Sequence, residues 1–329
     1  RRVEVCLNDR LVVDYREPEA ELRTSAGPVP RLGRGTFALQ CHDPGSQVSY
    51  RHIRVRRLPD ETPDDRPAPE ADVVDRQILE LAASNFPVID LHGHLKGGLT
   101  IEDVLAHSRR TGINYGIAVN GGVGFPMTND AGALEFLESM KGQPVFIALQ
   151  AEGREWVRLF SRAAIARFDY VFTDAMTFTD HRGKRTRLWI PSEVEVDEPE
   201  AFVERLVGTI ERILTEEPID IYVNPTYLPD AIAADYDRLW TPARMQRVID
   251  AAKRNGVAIE INARFRLPSE RFIRMAKQAG VKFTFGTNNG DRELGRLEYC
   301  LEMQRACGLQ WQDMYVPGTP RARRPSADH

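Results

Sequence analysis

Two histidines one residue apart, with a carboxylate further along, are the residues of this chain best suited to chemistry. His92 and His94 stand in Asp90–Leu91–His92–Gly93–His94. On an extended backbone the i, i+2 spacing turns both imidazoles to one side. Two imidazole nitrogens and a nearby carboxylate form the usual half-shell for a divalent ion such as zinc, manganese or iron. Glu152, in Gln150–Ala151–Glu152–Gly153–Arg154, is the carboxylate candidate. An ion held there polarises a substrate oxygen or lowers the pKa of bound water. Each residue also has a plainer reading: the histidines as a structural pair bonded to loop carbonyls, and Glu152 as a helix-start carboxylate held by the helix dipole. Asp174 stands open as ligand, general base or cap. Asp174 and Glu260 are the candidates to move a proton, and Lys96 joins them as a third catalytic candidate. Lys96, Arg154 and Arg264 are suited to clamp an anionic or polyhydroxylated substrate, with surface solvation as the alternative for each.

These residues need a frame that brings them together, and the hydrophobic pattern supplies one. From about residue 72, short apolar runs at 87–91, 115–119, 145–149, 170–173, 220–223, 258–261 and 282–285 alternate with amphipathic helices. Thr241 with Pro242 makes an N-cap with proline at the first helical position, and Gly256 closes that helix. Met245, Val248, Ile249 and Ala252 form its buried stripe. Ser269 opens the next helix and Gly280 ends it. Continuous apolar strands alternating with helices mean a parallel sheet covered by helices. The lack of a Gly-rich phosphate turn favours a seven-stranded α/β barrel over an open Rossmann sheet. In such a barrel the working face lies at the carboxyl ends of the strands. There the sequence places His92 and His94, then Asn120, then Gln150 and Glu152, then Asp174, Asn224, Glu260 with Asn262, and Asn288 with Asn289. The substrate-binding candidates are therefore Asn120, Gln150, Arg154, Asn224, Asn262, Arg264 and Asn288.

Residues 1–57 have a different period. Strand-like runs at 2–7, 11–15, 36–40 and 48–55 read as antiparallel β, with Asn8–Asp9 as a tight turn. Residues 58–71 are rich in proline and acids and read as a linker. The barrel then spans 72–318, and 319–329 reads as a disordered tail. Four strands with one apolar face do not bury it alone. Either the segment packs on the barrel or its partner sheet precedes Arg1, and the second is the expectation.

The chain has 329 residues, is 42% hydrophobic and 28% charged, and carries a net charge of −4. That balance gives no reason to expect nucleic acid as partner, and the arginines at 182–187 and 321–324 read as solvated loop and tail. No apolar run approaches the ~18 residues of a membrane span. Of the four cysteines, Cys300 and Cys307 lie about 10 Å apart along one helix, too far to bridge. Cys6 and Cys41 lie on or beside strands and read either as a pair or, the favoured reading, as free buried thiols, and no CxxC zinc pair is present. His42, His52, His107, His181 and His329 occupy unremarkable positions.

The barrel residues resemble the PHP (polymerase and histidinol phosphatase) family, whose distorted seven-stranded barrel begins with HxH on its first strand. The HxH matches at His92 and His94, and the family's glutamate matches at Glu152. Elsewhere the pattern departs: Asn120–Gly121 replaces an Asp-His pair, Met176 and Asn224 replace histidines, and Asn288 stands where an aspartate would be. The family holds up to three divalent metals and hydrolyses phosphoesters. The surviving residues imply one metal site, or none. The N-terminal residues LNDRLVVDYREP and GRGTFALQCHDPGSQVSYRHIRVRRLP resemble the end of the 3-keto-disaccharide hydrolase domain, a concanavalin-like β-sandwich of carbohydrate turnover, usually outside the cytoplasm in bacteria. This second resemblance implies that the rest of the sandwich and a secretion signal precede Arg1, and a periplasmic or secreted location.

Together these readings set the expectation of a metal-dependent hydrolase or lyase acting on a small molecule, a carbohydrate or sugar derivative. PHP-type phosphoester cleavage ranks lower, because most of the multi-metal cluster is missing. A non-catalytic carbohydrate-binding barrel is the third reading, since asparagine and glutamine suit neutral hydroxyls. Oligomeric state is not legible.

Overall fold

The structure is a computed structural model that describes residues 2–7, 10–16, 23–24, 27–28, 72–84, 86–180 and 182–318. Seven parallel strands close into a barrel, as expected. In chain order they are Ile89–Gly93, Asn114–Gly121, Phe146–Ala151, Tyr170–Thr173, Ile221–Tyr222, Ala258–Asn262 and Phe283–Gly286. Each pairs with its sequence neighbour, and the seventh returns to the first through Phe285 and Asp90.

The strands bury both faces, which is why they read as unbroken apolar runs. Inward residues form one cluster in the lumen: Leu91, Ala118, Ala148, Tyr170, Phe172, Ile221, Val223 and Ala258. Alanines across from aromatic rings let the lumen fill without a pore. Outward residues join the apolar stripes of the surrounding helices in a larger core. The helix Pro242–Asn255 has the expected form: Thr241 Oγ1 accepts from Arg244 N, Gly256 caps it in the left-handed region at φ 61°, and Met245, Val248, Ile249 and Ala252 are buried. The helix Glu270–Ala279 likewise runs from Ser269 to Gly280. Cys300 and Cys307 are free thiols in the helix Glu298–Cys307.

Two features differ from the sequence reading. The loop after the fourth strand, read as a charged connection, contains a two-stranded hairpin, Thr177–Thr179 with Arg185–Arg187. The N-terminal strands Arg2–Leu7 and Arg10–Arg16 pair antiparallel as expected, and the second packs on the barrel, the alternative that the sequence reading ranked second. Arg109 Nε, on the helix Ile101–Thr111, donates to Asp14 Oδ2 at 2.7 Å. The expected strands at 36–40 and 48–55, the linker at 58–71 and the tail at 319–329 lie outside the described residues, as do His42, His52, His181, His329 and Cys41.

Candidate active site at the carboxyl end of the barrel

The first strand carries the two histidines on a register shift between Asp90 and Gly93. Asp90, buried under the seventh strand, holds that irregular backbone in place. Its Oδ1 accepts from the backbone N–H groups of His92, at 3.1 Å, and Thr287, at 3.0 Å, and the Thr287 hydroxyl donates to Oδ2. Burial raises the Asp90 pKa, and the Thr287 hydrogen bonds oppose that rise. Sequence reasoning gave Asp90 no role; an aspartate inside an otherwise apolar strand was the available signal.

His92 and His94 are 1% and 2% exposed, so each polar ring atom needs a partner inside the protein. His92 Nδ1 lies 2.5 Å from Glu260 Oε1, and His94 Nδ1 lies 3.0 Å from the backbone oxygen of Ala118. The ring centroids are 5.3 Å apart. Among the described residues neither Nε2 has a hydrogen-bond partner, and neither does Gln150 Oε1. Burial pushes the His94 pKa well below its ordinary value. Asn289 fixes the His94 backbone at both ends: its Oδ1 accepts from His94 N and its Nδ2 donates to His94 O, each at 2.8 Å.

Glu260 is fully buried, and its second oxygen, Oε2, accepts from Asn224 N at 2.8 Å and Asn262 Nδ2 at 3.0 Å. It stands behind His92 as its brace. Asn224 and Asn288 adopt φ 48° and 51°, a left-handed backbone that asparagine tolerates better than most residues. Asn224 is the hub of the amides. Its Oδ1 accepts from Asn262 at 2.9 Å and from Asn288 at 3.3 Å, while its Nδ2 donates to Asp174 Oδ2 at 2.7 Å. Asp174 Oδ1 accepts from Met176 N. On the opposite side, Glu152 Oε1 accepts from Asn120 at 2.9 Å and Gln150 at 3.1 Å, and Thr177 Oγ1 donates to Oε2 at 3.3 Å. Burial, then repulsion from Asp174, pushes the Glu152 pKa up to about 8. Burial also raises that of Asp174.

The three cationic candidates part company. Arg154 is spent on the scaffold: Nη1 donates to Glu217 Oε1 at 2.6 Å, and Nη2 donates to Thr173 Oγ1 and to the Asp174 backbone oxygen. Lys96 and Arg264 are exposed at the mouth. Arg264 lies over the Phe265 ring, with its guanidinium carbon 5.3 Å from the centroid, and reaches Asn288 O at 3.4 Å. Burial of its stem and the Arg264 charge lower the Lys96 pKa against the attraction of Glu152.

The barrel mouth thus brings together the predicted site residues, with Glu260 and Asn262 fully buried behind the surface and Arg154 tied into the scaffold. The expected ligand trio is not assembled: among the described residues no group of three or more His, Cys, Asp or Glu side chains is placed to hold a metal. The two histidines fit such a role, because each offers a buried, unpartnered Nε2. Glu152, with both oxygens engaged, does not.

No family model matches the chain, and no curated protein does. Among solved structures it is similar to a histidinol phosphate phosphatase from Lactococcus lactis, complexed with zinc, L-histidinol and phosphate. The identity is 14%, with 68% of this chain and 95% of that chain covered, at a TM-score of 0.49. It is also similar to an HpcH/HpaI aldolase from Desulfitobacterium hafniense at 12% identity, with 63% and 88% covered and a TM-score of 0.32.

Proposed function

We propose that the carboxyl end of the barrel is the active site of a hydrolase or lyase that uses one divalent metal (zinc, manganese or iron) on a carbohydrate or sugar derivative. The observation that carries the reading is the pair of buried imidazoles, each anchored through Nδ1 and each with an unpartnered Nε2. His92 and His94 would hold the ion, which when bound supplies Lewis acidity to a substrate oxygen or water. Glu260 and the Ala118 carbonyl set the tautomer and aim of the rings, as outer partners of ligating histidines do. Asp174, oriented by Asn224 and the Met176 amide, and Glu152, oriented by Asn120 and Gln150, are the two carboxyl groups that hold or move a proton at a substrate oxygen. The amides of Asn120, Asn224 and Asn288 suit hydroxyl groups, which both donate and accept, while Asn262, fully buried and engaged with Asn224, Glu260 and Phe265 N, supports them from behind. Lys96 and Arg264 meet the outer part of the substrate at the rim.

A metal-free carbohydrate-binding barrel is the second reading. It is favoured by the lack, among the described residues, of three gathered His, Cys, Asp or Glu ligands. Metal analysis of purified wild type beside the His92→Ala/His94→Ala double variant separates the two. Stoichiometric metal in the wild type and none in the variant is expected, and metal in neither sample sinks the metalloenzyme reading. Turnover of a keto-glycoside panel is expected over that of a generic phosphoester. Phosphatase activity abolished by Glu152→Gln would instead put phosphoester cleavage first.

A further inference from the structure

The hydrogen atoms around the two histidines can be placed from their partners. The Ala118 carbonyl only accepts, so His94 Nδ1 carries the proton and Nε2 presents a lone pair. Glu260 accepts from Asn224 N and Asn262 Nδ2 on one oxygen and faces His92 Nδ1 with the other. A carboxylate taking donors on both oxygens assigns the proton to His92 Nδ1, which leaves a second lone pair on Nε2. Gln150 supplies a third acceptor. Its Nε2 donates to Glu152 Oε1 at 3.1 Å, which turns Oε1 to the other side of the amide. The Gln150 side chain lies within reach of His94, and it is 6% exposed. Its Oε1, His92 Nε2 and His94 Nε2 are buried, and none has a partner among the described residues.

Three buried acceptors with no partner among the described residues ask for donors, and a single water offers only two hydrogens. A divalent cation satisfies all three at once. The spacing of the rings suits one ion: two imidazoles bound tetrahedrally at about 2.0–2.1 Å place their centroids about 5 Å apart, against 5.3 Å here. Glu152 differs in kind, because its oxygens already accept from Asn120, Gln150 and Thr177.

We propose that Gln150, rather than Glu152, is the third protein ligand beside His92 and His94. The proposal rests on the metal-site reading above and changes its ligand set. Glu152 becomes the residue that orients the Gln150 amide. A set of three neutral ligands leaves the ion its whole positive charge, which strengthens its pull on a bound oxygen.

Cobalt(II) binding, followed by its visible absorption and by calorimetry, tests this without any substrate. Gln150→Ala is expected to weaken cobalt binding roughly tenfold or more. Gln150→Glu combined with Glu152→Gln, which places a charged oxygen at the same position and keeps an amide donor facing it, is expected to tighten it, a gain that misfolding cannot mimic. Glu152→Gln, which keeps shape and can still accept a hydrogen bond, is expected to bind cobalt as the wild type does. If Glu152→Gln loses binding while Gln150→Ala keeps it, Gln150 is not a ligand, and the metal-site reading survives alone. Failure of the Gln150→Glu/Glu152→Gln double variant to tighten binding also overturns the assignment. If the wild type shows no cobalt binding that His92→Ala abolishes, the metal site and this ligand fall together.

Discussion

His92 is held by atoms drawn from three strands: its backbone N–H by Asp90, its carbonyl by Asn288 N at 2.8 Å, and its ring by Glu260. Glu260→Ala would leave the His92 ring, the Asn224 amide and the Asn262 side chain facing a dry gap. A loss of about 3 kcal/mol or more is expected, read as a lower urea midpoint with an unchanged m-value. Glu260→Gln retains one accepting oxygen and is expected to cost less than half as much. At this scale the sequence showed residues that the fold places at one end of the barrel and left their duties open. HxH at a strand end was legible, as were the polar residues leaving each strand. That Glu260 faces the His92 ring depends on a contact across 168 residues, and local pattern does not reach that far. Asp90 was hidden because its partners, Thr287 and the His92 amide, come together only when the first and seventh strands pair.

Between the elements, Arg154 ties the loop after the third strand to the end of the helix Pro199–Glu216 and to the fourth strand. Its main partner, Glu217, also accepts from Trp156 Nε1 at 2.6 Å. Arg154→Met would strand a buried carboxylate, at an expected cost of about 3–5 kcal/mol at neutral pH. The pH dependence has a definite sign. Burial raises the Glu217 pKa and Arg154 opposes that rise, so the folded state favours the protonated acid. The resulting stability is full below the unfolded pKa and is lost as pH rises through the folded one. Without Arg154 the folded pKa climbs further. Urea denaturation should therefore find the variant's deficit larger at pH 8 than at pH 5, and an equal deficit would mean that the ion pair is not the cause. The strands themselves were legible, because apolar runs between turn residues mark them whatever their neighbours. The first begins at Ile89 rather than 87, since Pro87 has no N–H to give a ladder. The hairpin at 177–187 was not legible, because its strands are three residues each and one of them reads as pure charge.

The whole barrel depends on a lumen filled by large side chains opposite small ones. Gly116 on the second strand faces Tyr170, whose hydroxyl donates to Leu91 O at 2.7 Å. A Cβ at Gly116 would lie 1.9 Å from that hydroxyl oxygen. Gly116→Ala is therefore expected to destabilise the protein by about 1–3 kcal/mol. Adding Tyr170→Phe should relieve part of this, since the clashing oxygen is gone although Cζ remains 2.9 Å away. A thermal-melt double-mutant cycle should show the pair less damaging than the sum, and simple additivity would contradict the clash. Closure itself was legible from seven alternating units. The packing of the strand Arg10–Arg16 on the barrel was not, because the Asp14 and Arg109 partnership joins residues 95 apart in the chain.

The two histidines lie on the first strand of the barrel, and their supports, Glu260, Asn288 and Asn289, lie on or just after the last two. During synthesis the rings leave the ribosome well before the residues that aim them. A chain stopped after its fourth strand would carry both imidazoles with nothing to set their tautomers. The site is thus timed as well as placed: it comes into being only when the final strand docks beside the first, so its appearance reports that folding is complete.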